Sequence, residues 1–172
     1  REAGRLEAES STGRRIGPLD APVRVRPRRS DDPVIIGGAA YRGEALVLAP
    51  AAGRATAVNV VDLEAYLLGV VPLEIGARPE AEIEAVKAQA IAARTYAIGH
   101  LGSRGSLGFD FYATIADQVY GGVNAEDPVT SRAVRETRGE IVTYQGAPIL
   151  AYYHSTCGGR TAAIDEVWRR AP

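Results

Sequence analysis

The chain has 172 residues, 46% hydrophobic and 24% charged, with a net charge of −1. That balance suits one globular domain and excludes a global field that would draw the protein to nucleic acid. No apolar run approaches the roughly 18 residues a membrane span needs, and a single cysteine, Cys157, excludes an internal disulfide.

The chain contains no methionine, so it reads as an excised piece whose signal or anchor would lie upstream. Positive charge is local: the first thirty residues carry eight Arg against four acidic residues. A solvated linker is the plain reading of this arm, and contact with an anionic polymer the sharper one. Residues 1–21 lack sustained periodicity and are expected to be flexible linker, leaving 22–172 as the folded domain. From Val23 to Asp62 the segments "PVRVRP", "PVIIGGAAYRGEALVLAP" and "GRATAVNVVD" read as short strands broken by Gly and Pro.

Asp62 is placed to cap a short helix, "LEAYLLG", and Pro72 is expected to bend the chain after it. The longest helix follows in "RPEAEIEAVKAQAIAARTYAIGH". Pro79 suits its first position, early glutamates suit its positive end, and Ile83, Val86, Ala90, Ala93 and Ala97 form one apolar stripe. Asp127-Pro128 opens another helix, which Gly139 stops. "EIVTYQGAPILAYYHS" reads as a hairpin around Gln145-Gly146. Interspersed helices and strands give an α+β fold: a β-rich N-terminal part, a central long helix and a C-terminal hairpin, with a cleft between the parts.

One carboxylate stands out. In "GVVPLEIG", residues 69–76, Glu74 is the only ionisable residue among Val70, Val71, Leu73 and Ile75. An ordinary surface turn would explain it. A general acid, however, must hold its proton until a substrate takes it, and partial shelter from water favours that. Lys87, the only lysine, lies seven residues from Arg94 and therefore about 20° away on the helical wheel. The pair either snorkels past the core edge or lines a cleft. In "DQVYGG", Gln118 and Tyr120 share a face if the segment is extended. In "YYHSTCGGRT", the Ser155 and Thr156 hydroxyls beside two glycines suit a polar sugar-contacting loop. His154 and Cys157 are weak candidates for zinc, since the only other histidine is His100. No metal or cofactor is expected, and no phosphate or dinucleotide loop occurs.

Taken together, "LEAYLLGVVPLE", "KAQAIAARTYA", "DQVYGG", "YYHSTCGGRT" and "DEVW" resemble the stage II sporulation protein D / amidase-enhancer family over roughly residues 40–172. The resemblance implies a peptidoglycan lytic transglycosylase acting outside the cytoplasm in the cell envelope. Its catalytic acid would be Glu74, and Lys87, Gln118, Tyr120, Ser155 and Thr156 would line the substrate cleft. Its expected partners are glycan strands and other cell-wall hydrolases. It also implies an alternative, a non-catalytic module that recruits or enhances an N-acetylmuramoyl-L-alanine amidase. A structural piece of an envelope complex is a third reading. Some relatives carry Cys or His before the Gln-x-Tyr pair, and here "DFYATIADQVY" carries neither. Ending soon after "DEVW" is expected to leave the domain truncated at its C-terminus.

Overall fold

The computed structural model describes residues 5–49, 54–154, 158–163 and 166. Its mixed α+β architecture agrees with the order read from the sequence: strands first, then helices, then a small hairpin. One expectation fails at the start. Residues expected as linker form an antiparallel hairpin, β1 (Arg5–Glu9) with β2 (Arg15–Asp20), in which Leu6 faces Leu19 and Ala8 faces Ile16. Its apolar positions are few and interrupted by charge, so the period-2 signal is too weak to read from sequence.

β3 (Val23–Val25), β6 (Glu44–Leu48) and β7 (Thr56–Val60) form an antiparallel sheet in the order β3-β6-β7. β4 (Val34–Ile36) and β5 (Ala39–Tyr41) pair beside it around Gly37-Gly38, both at positive φ. Asn59 on β7 donates through Nδ2 to the carbonyls of Arg42 (2.9 Å) and Glu44 (3.0 Å), fixing the turn into β6.

Three helices build the core. α1 runs over Leu63–Ile75, α2 over Ile83–His100 and α3 over Pro128–Glu136. Asp62 caps α1 by accepting from the amides of Glu64 and Ala65, and Asp127 caps α3 from Val129 and Thr130. The expected α2 stripe is buried at Val86, Ala90, Ala93 and Ala97. It packs with Leu67, Val70 and Val71 of α1, Ala133 and Val134 of α3, and Tyr66 and Tyr120.

α1 differs from the expectation of a short helix ended by Pro72. It continues through the proline, and the Gly76 amide donates to the Pro72 carbonyl at 3.1 Å. A proline inside a helix forfeits one backbone bond and costs about 3 kcal/mol. Fully buried Val70 and Val71, just before the proline, supply the packing that offsets it. Pro79 precedes a 3-10 turn, Glu80–Glu82, rather than starting α2 itself. The C-terminal hairpin turns at Gln145-Gly146 as expected, with φ of 50° and 82°, but its strands β8 (Thr143–Tyr144) and β9 (Ala147–Pro148) are only two residues each.

Candidate functional site

Helical geometry answers the question that Glu74 raises. Leu67, Val70 and Val71 form the buried face of α1, and Glu74 falls three to seven residues further along the same face. It therefore points inward at the end of α1, where the apolar stripe runs out, and it is half-buried. Its Oε1 accepts a hydrogen bond from the Val119 amide at 2.9 Å.

The segment that supplies this amide is pinned residue by residue. Asp117 accepts two bonds from Arg104 (3.0 and 2.8 Å) and one from the Tyr112 amide (2.8 Å), and its side chain is 4% exposed. Gln118 is fully buried. Its Nε2 donates to the Ala93 carbonyl of α2 (3.2 Å) and to the Tyr153 hydroxyl (3.1 Å), while its Oε1 accepts from Tyr66 of α1 (3.3 Å). Tyr120 is 8% exposed and donates to Asn59 of β7 at 3.1 Å, while the Gly121 amide donates to the Gly69 carbonyl of α1 at 3.1 Å. Residues 117–121 thus fasten to the sheet, α1 and α2 together, and hold a backbone donor against Glu74.

The candidate residues separate accordingly. Glu74 and Gln118 come together, with Gln118 acting from within the core. The Tyr120 hydroxyl is directed to the sheet. Lys87 lies on the outer side of α2, paired with Glu84 (2.8 Å) and with Glu136 of α3 (2.9 Å). Those carboxylates raise the ammonium above its ordinary value. Ser155 and Thr156 lie outside the described residues, as does Cys157. His154 is exposed, and among the described residues no three His, Cys, Asp or Glu side chains gather as metal ligands.

An aromatic group that the motifs did not single out adjoins Glu74. Tyr96 stacks on His100 (centroids 4.0 Å apart, planes at 19°), and Tyr152 and Tyr153 meet Tyr96 edge-on at 6.0 and 6.2 Å. The Tyr153 phenol is raised well above its ordinary range, chiefly by burial, and further by the Glu74 carboxylate it faces. Burial does the same to Tyr66. The signal available in sequence was only that two tyrosines precede "HST". A cavity of about 470 Å³ lies elsewhere, between β7 and residues 108–113, and Glu74 does not line it.

The family model described as "Stage II sporulation protein" matches residues 51–144, more than half of the chain. An uncharacterised protein of Brachyspira hyodysenteriae is 37% identical over 140 residues, covering 81% of this chain and 37% of that one. The amidase enhancer of Bacillus subtilis is 42% identical over 102 residues, 59% of this chain and 13% of its own length. Stage II sporulation protein D of the same organism is 34% identical over 131 residues, 66% of this chain and 37% of its own. The chain therefore spans well under half the length of these relatives. No solved structure matches it.

Proposed function

The chain belongs to the stage II sporulation protein family, and from that premise we propose that it is a peptidoglycan lytic transglycosylase with Glu74 as its acid and base. The observation that carries this reading is the half-buried Glu74 carboxyl, oriented by the Val119 amide at the end of an otherwise apolar helix face. Its nearby acidic neighbour, Asp117, acts on the same Tyr66 and Tyr96 phenols, but it is buried and saturated by Arg104 and the Tyr112 amide.

One available carboxyl suits this reaction. Glycoside hydrolysis ordinarily uses two, one for the leaving group and one as nucleophile or to activate water. In lytic cleavage Glu74 protonates the glycosidic oxygen between N-acetylmuramic acid and N-acetylglucosamine, and the C1–O bond breaks. The resulting carboxylate removes the proton from the muramic O6 hydroxyl. O6 bonds to C1, closing a 1,6-anhydro ring, and Glu74 ends protonated as it began. The substrate places the reaction outside the cytoplasm, in the cell wall. No described helix is long and apolar enough to cross a membrane.

Purified glycan strands incubated with the protein should yield 1,6-anhydromuramic ends by mass spectrometry, and Glu74→Gln should remove them. Equal product from both proteins would sink the assignment. A second reading follows from the amidase-enhancer relative: a module that binds glycan and stimulates an N-acetylmuramoyl-L-alanine amidase. It predicts amidase stimulation that survives Glu74→Gln, with no anhydro product from either protein.

A further inference from the structure

This inference rests on the lytic reading of Glu74 and concerns what holds its carboxylate between the two proton transfers. The orientation of the Gln118 amide is fixed by its partners. The Ala93 carbonyl can only accept, so the atom 3.2 Å from it is Nε2, and Oε1 is left to accept the Tyr66 hydroxyl at 3.3 Å. The second proton of Nε2 is then directed to the Tyr153 oxygen at 3.1 Å. A hydroxyl that receives a proton on its oxygen keeps its own proton for another acceptor. The carboxylate that bears on the Tyr153 phenol is Glu74. The residue after Gln118 supplies the Val119 amide to Oε1 of the same carboxyl.

We propose that Tyr153 is a positioning residue whose O–H, aimed by Gln118, holds the Glu74 carboxylate in place after the glycosidic oxygen has been protonated and before O6 is deprotonated. Two successive residues thus reach one carboxyl, Val119 directly and Gln118 through a phenol. The charged form exists only after the first proton transfer, so a donor already aimed at it stabilises that stage without reorganising. Burial and the adjoining carboxylate both favour the neutral phenol, so the donor persists across the neutral range.

The experiment compares wild type with Tyr153→Phe, which keeps the ring and its edge contact with Tyr96. A hydrogen bond to a charged group lost from the reacting stage lowers kcat roughly 10- to 100-fold, with KM within about twofold. A merely structural tyrosine would instead raise KM and lower the melting midpoint together, or leave kcat alone, and either outcome overturns the proposal. A second measurement does not depend on that variant folding. In the proton NMR spectrum of wild type a slowly exchanging phenolic O–H should shift on Glu74→Gln, and an unmoved resonance overturns the proposal too. Wild type that makes no anhydro ends would defeat the lytic reading itself, whereas active wild type with an equally fast Tyr153→Phe defeats only this inference.

Discussion

Arg94 and Lys87 sit almost in line on the helical wheel, yet one is core and the other surface. Lys87 lies at the partly exposed edge where α2 meets α3 and pairs with Glu136, lowering that carboxyl below its ordinary value. Two turns later the α3 C-terminus covers the helix. There Arg94 is 1% exposed, with Nε and Nη2 each 2.8 Å from the two oxygens of Glu64. Its remaining protons reach the carbonyls of Glu140 (3.1 Å) and Val134 (3.2 Å), so one guanidinium joins all three helices. Sequence periodicity gives the direction of a side chain, not what covers it, and this burial was not legible. Arg94→Leu strands a partly buried carboxylate and two carbonyls, and should cost about 3–5 kcal/mol in urea unfolding. Arg94→Lys should recover little of that, since an ammonium cannot reproduce the two-pronged fork. A Leu variant within 1 kcal/mol of wild type would contradict this account.

At the scale of elements, Gly69 shows why α1 and the "YGG" segment must be read together. A Cβ on Gly69 would stand 2.8 Å from the Gly122 carbonyl oxygen and 2.8 Å from the Tyr120 ring. Alanine is worth about 1 kcal/mol over glycine in a helix interior, but overpacking at this contact costs typically 1–3 kcal/mol. Gly69→Ala should therefore be neutral to destabilising by up to about 2 kcal/mol, and should reduce glycan cleavage more than stability because Val119 moves with the displaced segment. Gly105→Ala is the control, since nothing lies within 4 Å of its Cβ position, and it should leave both unchanged. Cleavage unimpaired in Gly69→Ala would show that the segment does not position Glu74. The helices themselves were legible because caps and stripes are local: Asp62, Asp127 and the Val86–Ala97 face read correctly. The path of α1 through Pro72 was not, because burial offsets a local penalty. Nor was the Glu74 bond to Val119, which closes across 45 residues of chain.

For the whole molecule, the junction of sheet and helices is held by buried phenols and one ion pair. Arg42, in the turn before β6, makes two bonds to Glu126 ahead of α3 (2.5 and 2.7 Å), while Tyr120 reaches Asn59 from the helical side. Tyr66, Tyr120 and Tyr153 are all raised, with desolvation the largest cause in each, and Tyr120 is pushed up to about 12. A phenol is neutral when protonated, so a folded value above the unfolded one means that the folded state holds the proton more tightly. The contribution is complete below the unfolded value near 10 and is lost as pH rises through the folded one. For Tyr120 the window runs from about 10 to about 12 and is worth up to roughly 2–3 kcal/mol. The other two extend the loss to higher pH. Urea unfolding at pH 8 and pH 11 should show wild type losing stability, and Tyr120→Phe losing less between the same two points because one of the linked protons is gone. An equal loss in both proteins would place the alkaline sensitivity elsewhere and leave the Tyr120–Asn59 tie without its part in joining the two halves.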